Sequence, residues 1–238
     1  SQLCMGTMAS CSDAVAYYAG IDATALGPGG LKAALHELID DHTVVSYANA
    51  WEALAVLDSA PSNASQVHMI YSSHLHDAVL DRGLPSGWNR EHAWPRSYGL
   101  GHAGPDYSDL HMLFAADWNV NSARSNRYFD DCTTGCTSPA HAEARATTAK
   151  DSRRFQPPVG VRGDLARSMF YMAVRYDGGE PQTTDLELGD TPSTTSGRMG
   201  NLSTLLRWHA DDRVSAAEQT RSGLVCTSFQ HNRNPFVD

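Results

Sequence analysis

Apolar positions along the chain switch between helical and extended spacing. Ser12 can cap a helix through about Tyr18. After a turn at Gly27 to Gly30, Leu31, Leu35, Leu38 and Ile39 recur at helical intervals, predicting an amphipathic helix to about Asp41. Ser46 caps a third predicted helix carrying Trp51, Leu54 and Leu57, which ends before Pro61. Val67 to Tyr71 reads as a strand. Asn89 to Trp94 mixes polar and aromatic residues ahead of Pro95, which suits a second extended segment, and Asp109 to Phe114 reads as a third. Asp117 can cap a helix through about Tyr128. The stretch from Asp130 to Pro158, rich in Thr, Ala, Ser, Gly and Pro, predicts a long surface excursion. Asp164 then caps a strong helix. On it Leu165, Met169, Met172 and Tyr176 form an apolar stripe, and Arg167, Tyr171 and Arg175 share another face, whose arginines by pattern alone read as solvated. Thr183 to Gly200 is turn-rich. Leu202 to Trp208 and Ala216 to Val225 read as the last helices, and the tail from Asn232 to Asp238 docks through Phe236. Helices with a few short strands between them place the chain in the α+β class.

The chain has 238 residues, 41% hydrophobic and 19% charged, enough for a real core in one large domain or two small ones. It has no apolar run of membrane-spanning length. No leader is visible, and Ser1-Gln2 reads as a mature start. The formal net charge of -9 is awkward for a nucleic-acid binder. Yet Lys32 and Lys150 are the only lysines among 18 basic residues, and arginine suits bidentate phosphate contacts. The charge therefore predicts a local arginine-lined cleft on an acidic body.

Chemistry concentrates between Trp88 and Arg127. Glu91 and His92 are adjacent, His111 follows, and Asn119, Asn121, Arg124 and Asn126 lie on the predicted helix. Glutamate offers a hard anionic oxygen to a divalent ion, and asparagine a neutral one. Histidine is suited to take a proton near neutral pH. Asn121, Arg124 and Ser125 share a helix face, whereas Asn119 and Asn126 point elsewhere, with Asn126 the fallback ligand. His111 is read as orienting the region by hydrogen bonding. His74 and His76, in a polar loop, are read as exposed; with another histidine they would suit a zinc hydrolase. His36 is read as a packed or surface residue.

Arg90-Glu91-His92 with Pro95, Asp109-Leu110-His111, and Val120-Asn121 with Arg124-Ser125-Asn126 resemble the signature of the endonuclease I family of ββα-metal (His-Me finger) nucleases. The likeness covers most of the chain. Upstream it includes Tyr17-Tyr18, LKAALHELI, HTVVSY and Trp51. Downstream it includes Gly163-Asp164-Leu165-Ala166-Arg167, FYMAVRY and the terminal NRNPFVD. Met112, the Ala115-Ala116-Asp117 turn and His231 depart from the family pattern; none touches the expected metal ligands. The resemblance implies one nuclease domain over residues 1–238, with a ββα-metal core at about 88–128 surrounded by helices. It implies that Glu91 and Asn121 hold Mg²⁺ (or Mn²⁺ or Ca²⁺), with no organic cofactor. His92 would activate water, and Arg124 or Arg167 would hold a phosphate. The expected activity is non-specific cleavage of DNA and RNA to 5′-phosphate products, by a secreted or periplasmic monomer. A catalytically inactive nucleic-acid-binding module of the same fold is the alternative.

The cysteines are Cys4, Cys11, Cys132, Cys136 and Cys226. Disulfides could close the short loops Cys4 to Cys11 and Cys132 to Cys136, leaving Cys226 over, and other pairings stay open. The resemblance favours disulfides and an oxidising compartment. A zinc site on Cys132, Cys136 and His141 would be one ligand short of the usual four.

Overall fold

The computed structural model describes residues 11–238. Helix α1 (Ala14–Tyr17) is capped by Asp13, whose carboxylate accepts the N–H groups of Val15 and Ala16. Helix α2 (Pro28–Ile39) opens on a proline, whose missing N–H costs nothing in the first turn. Helix α3 (Ala50–Leu57) buries Ala50, Ala53, Leu54 and Leu57. Strands β1 (Ser59–Ala60), β2 (Asn63–His68) and β3 (Leu75–Asp77) form an antiparallel meander. The strand expected at 67–71 thus lies earlier. Ile70 has left the meander, and its N–H donates to the carbonyl of Ala115 at 2.9 Å.

The core follows. Strand β4 (Trp88–His92) pairs antiparallel with β5 (Leu113–Asp117), placing Glu91 opposite Phe114 and His92 opposite Leu113. Helix α4 (Trp118–Arg124) comes next, and Asp117 caps it by accepting from the N–H groups of Asn119 and Val120. Strand, strand and helix occur in the predicted order with shifted bounds. Strand β5 starts at Leu113, not Asp109, because residues 109–112 form a buried turn. There the Asp109 carbonyl accepts from Met112 and Leu113, and its carboxylate accepts from the His111 N–H at 2.9 Å. Helix α4 stops at Arg124, short of Tyr128, because Ser125 adopts φ +52°.

The expected surface excursion contributes to the core. Strands β6 (Tyr128–Phe129), β7 (Ala149–Lys150) and β8 (Arg154–Gln156) form a sheet in the order β6-β8-β7, and Phe129 and Phe155 are buried. Helix α5 (Arg162–Arg175) runs through the interior beside α6 (Leu202–Asp211) and α7 (Ala216–Leu224). At Gly163 a Cβ would lie 2.1 Å from the carbonyl oxygen of Asp212, so only glycine permits α5 to meet the end of α6 this closely. The face of α5 read as solvated is buried: Arg167 is 0% exposed and Arg175 3%. Carboxylates neutralise both, Arg167 pairing with Asp164 and Glu218 and Arg175 with Glu180.

Two disulfides are present among the described residues. Cys132 bonds Cys136 as expected, but Cys11 bonds Cys226, which overturns the Cys4–Cys11 pairing. Folding brings the two ends of the chain together, so the longer link is the one formed; Cys4 lies outside the described residues. The bonded Cys132 and Cys136 have no thiolates to offer zinc. No described helix is long and apolar enough to cross a membrane.

Candidate active site

His92 ends β4. Its Nε2 lies 2.9 Å from the backbone carbonyl of Tyr107. A carbonyl can only accept, so Nε2 carries the proton and Nδ1 keeps its lone pair. The ring stacks on Tyr107 at 4.7 Å between centroids and sits 5.4 Å from Tyr47. Burial pushes its pKa down to about 4; the Tyr107 bond opposes that, and Arg90, Arg96 and Arg124 reinforce it. A neutral imidazole with a free Nδ1 is the form a general base needs.

Glu91 is buried, with Oε1 accepting from the Tyr71 hydroxyl at 2.8 Å and lying 3.1 Å from Nη1 of Arg124. Burial raises its pKa, while Arg124 and Tyr71 draw it back. Its Oε2 has no hydrogen bond or ion pair among the described residues. Asn121 lies on α4, which packs on β4 and β5. Its side-chain amide likewise has no protein partner among the described residues. One anionic and one neutral oxygen, left free on neighbouring elements of the core, fit a hard divalent cation. The alternatives are less suitable. Asn119 spends its amide N–H groups on Pro85 and Glu143, and Asn126 is exposed beyond the end of the helix.

The two arginines expected to hold phosphate are placed otherwise. Arg124 donates to the carbonyls of His92 at 2.7 Å and Ala93 at 2.6 Å besides pairing with Glu91. It fixes the end of β4 from inside. Arg167 directs all its donors to Glu218, Asp164, His209 and the Asp212 carbonyl, so none remains for a phosphate. His111 is buried, with Nε2 3.2 Å from the carbonyl of Asn232. It belongs to a polar cluster in which Asp109 accepts from Tyr171 and Tyr176, and this anchors the β4–β5 connection.

Sequence reasoning missed Tyr47, Tyr107 and Arg96. Arg96 is exposed just past His92 and near the Tyr107 ring. Arg90 lies 3.5 Å from the centre of the Tyr47 ring and 4.2 Å from that of Trp51. The signal available was the aromatic content of HTVVSY and the Pro-Arg after the motif. A separate cavity of about 440 Å³, lined in part by Asp58, His68, Asp164 and Arg221, includes none of Glu91, His92 and Asn121. The chemistry therefore lies outside that cavity. The zinc alternative loses a ligand: both ring nitrogens of His76 face carbonyls, of Asp77 and Ser86, and His76 lies in β3.

The ββα arrangement carries its charged pair and free asparagine where the endonuclease I model matches, across residues 29–238. The chain belongs to the endonuclease I family. Members of that family are generally metal-dependent, and this chain is a nuclease, a hydrolase acting on nucleic acid. It is 39% identical over 229 residues to an extracellular ribonuclease of Bacillus amyloliquefaciens, covering 95% of this chain and 76% of the relative. It is 38% identical over 240 residues to an extracellular ribonuclease of Bacillus subtilis (strain 168), covering 98% of this chain and 81% of that protein. Disulfides suit the same oxidising surroundings.

Proposed function

We propose that this endonuclease I family member is a secreted, monomeric, non-specific endonuclease that hydrolyses RNA and DNA with one Mg²⁺. The observation that carries the reading is the bond from His92 Nε2 to Tyr107, which leaves Nδ1 unprotonated on the same ββα core that carries Glu91 and Asn121. Nδ1 takes a proton from water as the oxygen attacks phosphorus. Glu91, through its free Oε2, and Asn121, through its amide oxygen, would hold the ion. When bound, Mg²⁺ supplies charge stabilisation for the phosphoryl oxygens and the leaving 3′ oxygen. Arg124 favours the ionised form of Glu91 against the burial that raises its pKa, and aims the carboxylate, and so acts as a positioning residue in place of a phosphate contact. Arg96 takes the phosphate-contact role.

Because water attacks, no 2′-hydroxyl is needed, and both sugars are accepted. Tyr47 and Tyr107 pack on each other, on Arg90 and on His92, and the part of each ring left exposed offers aromatic contact that tolerates any base and favours single strands. The extracellular ribonucleases at 39% and 38% identity support RNA as one substrate and secretion as the destination.

The test is digestion of end-labelled RNA and DNA of mixed sequence, with Mg²⁺ and with EDTA, by the wild type and His92→Ala. Both substrates should give ladders, EDTA should stop them, and products should ligate at their 5′ ends. His92→Ala should lose roughly two to four decades of rate. Products ending in 2′,3′-cyclic phosphate would overturn hydrolysis by water. No cleavage of either substrate in Mg²⁺ would overturn the proposal.

A further inference from the structure

A second cluster of ligating side chains lies outside the nuclease site. His36, in the last turn of α2, Asp40, at its C-cap, and Glu180, beyond the end of α5, bring one ligand atom each within 4.8 Å of one another. His36 Nδ1 lies 2.9 Å from the carbonyl of Val174, so Nδ1 carries the proton and the Nε2 lone pair is free. Metal-bound histidines are commonly oriented this way, by a carbonyl on the nitrogen away from the ion. One Glu180 oxygen is held by Arg175, which leaves Oε2 without a partner among the described residues. The Asp40 carboxylate has no hydrogen bond or ion pair among them either. The three side chains are half-buried.

We propose that His36, Asp40 and Glu180 form a divalent-metal site that clasps α2 to the segment after α5. The donor set selects the ion. One imidazole nitrogen with two carboxylate oxygens suits a borderline first-row ion such as Zn²⁺, as an open site of three protein ligands and a water instead of the closed four-ligand kind. It does not suit Ca²⁺, which takes six to eight oxygen ligands. Position favours a cation too, since the carbonyls at a helix C-terminus carry partial negative charge, and this is the last turn of α2. Arg175 is the nearby opposing charge. It is committed to Glu180 Oε1 and to His42, and so it fixes the Glu180 carboxylate without occupying Oε2.

The site ties together elements distant in sequence, so binding should be read as folding stability. The test is thermal unfolding of the oxidised full chain, free of any affinity tag and stripped by chelator, titrated with Zn²⁺ and separately with Ca²⁺. At Zn²⁺ about a hundredfold above Kd, the wild type should gain roughly 5–10 °C in Tm. Asn121→Ala should keep that gain, which separates this site from the nuclease site. His36→Gln and Asp40→Asn should lose most of it. Ca²⁺ should give less through these residues. An equal zinc shift in His36→Gln, or no zinc shift in the wild type, would overturn the proposal. Should a variant not fold well enough to unfold cooperatively, Co²⁺ replaces the melt. A tetrahedral visible spectrum on the wild-type chain that survives in Asn121→Ala supports the site, and its absence removes it.

Discussion

Nη1 of Arg124 lies 3.1 Å from Oε1 of Glu91, and each side chain is 2% exposed. A buried carboxylate is stable as an anion only when paired, and Arg124 is the pairing cation. The same guanidinium grips the carbonyls of His92 and Ala93. One residue of α4 therefore sets the charge of the expected metal ligand and the path of the backbone through the expected base.

Arg124→Ala should be strongly destabilising, by about 3–5 kcal/mol, because it strands a buried anion. Arg96→Ala should leave stability unchanged, raise KM and reduce the salt slope of binding by about one. Denaturant unfolding separates these outcomes, and KM measured across salt concentrations completes the comparison. A stable Arg124→Ala protein with weakened substrate binding would reverse the two roles.

Glu91→Ala and Asn121→Ala should each weaken Mg²⁺ affinity, and excess metal should partly restore turnover. Asn126→Ala should behave as the wild type, since its side chain is exposed past the end of α4. Isothermal titration with Mg²⁺ reads the affinities directly. If Asn126→Ala loses metal and Asn121→Ala does not, the helix-face assignment fails.

The two disulfides should differ in worth. Cys11–Cys226 spans 215 residues and Cys132–Cys136 spans four. Loop-closure entropy gives the first about 5 kcal/mol and the second about 2 kcal/mol, since only the long loop removes much freedom from the unfolded chain. Cys226→Ala should therefore lower Tm more than Cys136→Ala. Equal losses in calorimetry would show that strain or residual unfolded structure dominates.

His42 gives a pH signature. Burial pushes its pKa from 6.5 down to about 4, and Nε of Arg175 donates to its Nδ1 at 3.0 Å, a bond that only the neutral ring accepts. The unfolded chain binds this proton more readily, so the contribution is fully present above the unfolded pKa. It is lost as pH falls from about 6.5 towards 4, by on the order of a few kcal/mol. His42→Gln keeps an acceptor for Arg175 and cannot titrate. Its stability should fall less steeply than the wild type's across that window. Parallel curves from urea melts would contradict the assignment.

The sequence determined the α+β class, the order of strand, strand and helix and the Asp117 cap, and offered Cys132–Cys136 as one possible local pairing. Each depends on neighbours within a few residues, where periodicity and capping act. It also marked Glu91, His92 and Asn121 by chemical type, although their roles are proposed on geometry and family. Tertiary structure decided what depends on distant partners. The Arg167 side chain reads as solvated on a helical wheel, yet Glu218 and Asp164 neutralise it in the interior. Spacing favoured Cys4 for Cys11, whereas packing of the chain ends delivered Cys226. The proton on His92 Nε2 depends on the carbonyl of Tyr107, fifteen residues further along the chain in a short helical turn at Pro105–Ser108. Burial and hydrogen-bond partners follow from which surfaces meet, and a one-dimensional pattern specifies only which surfaces are available to meet.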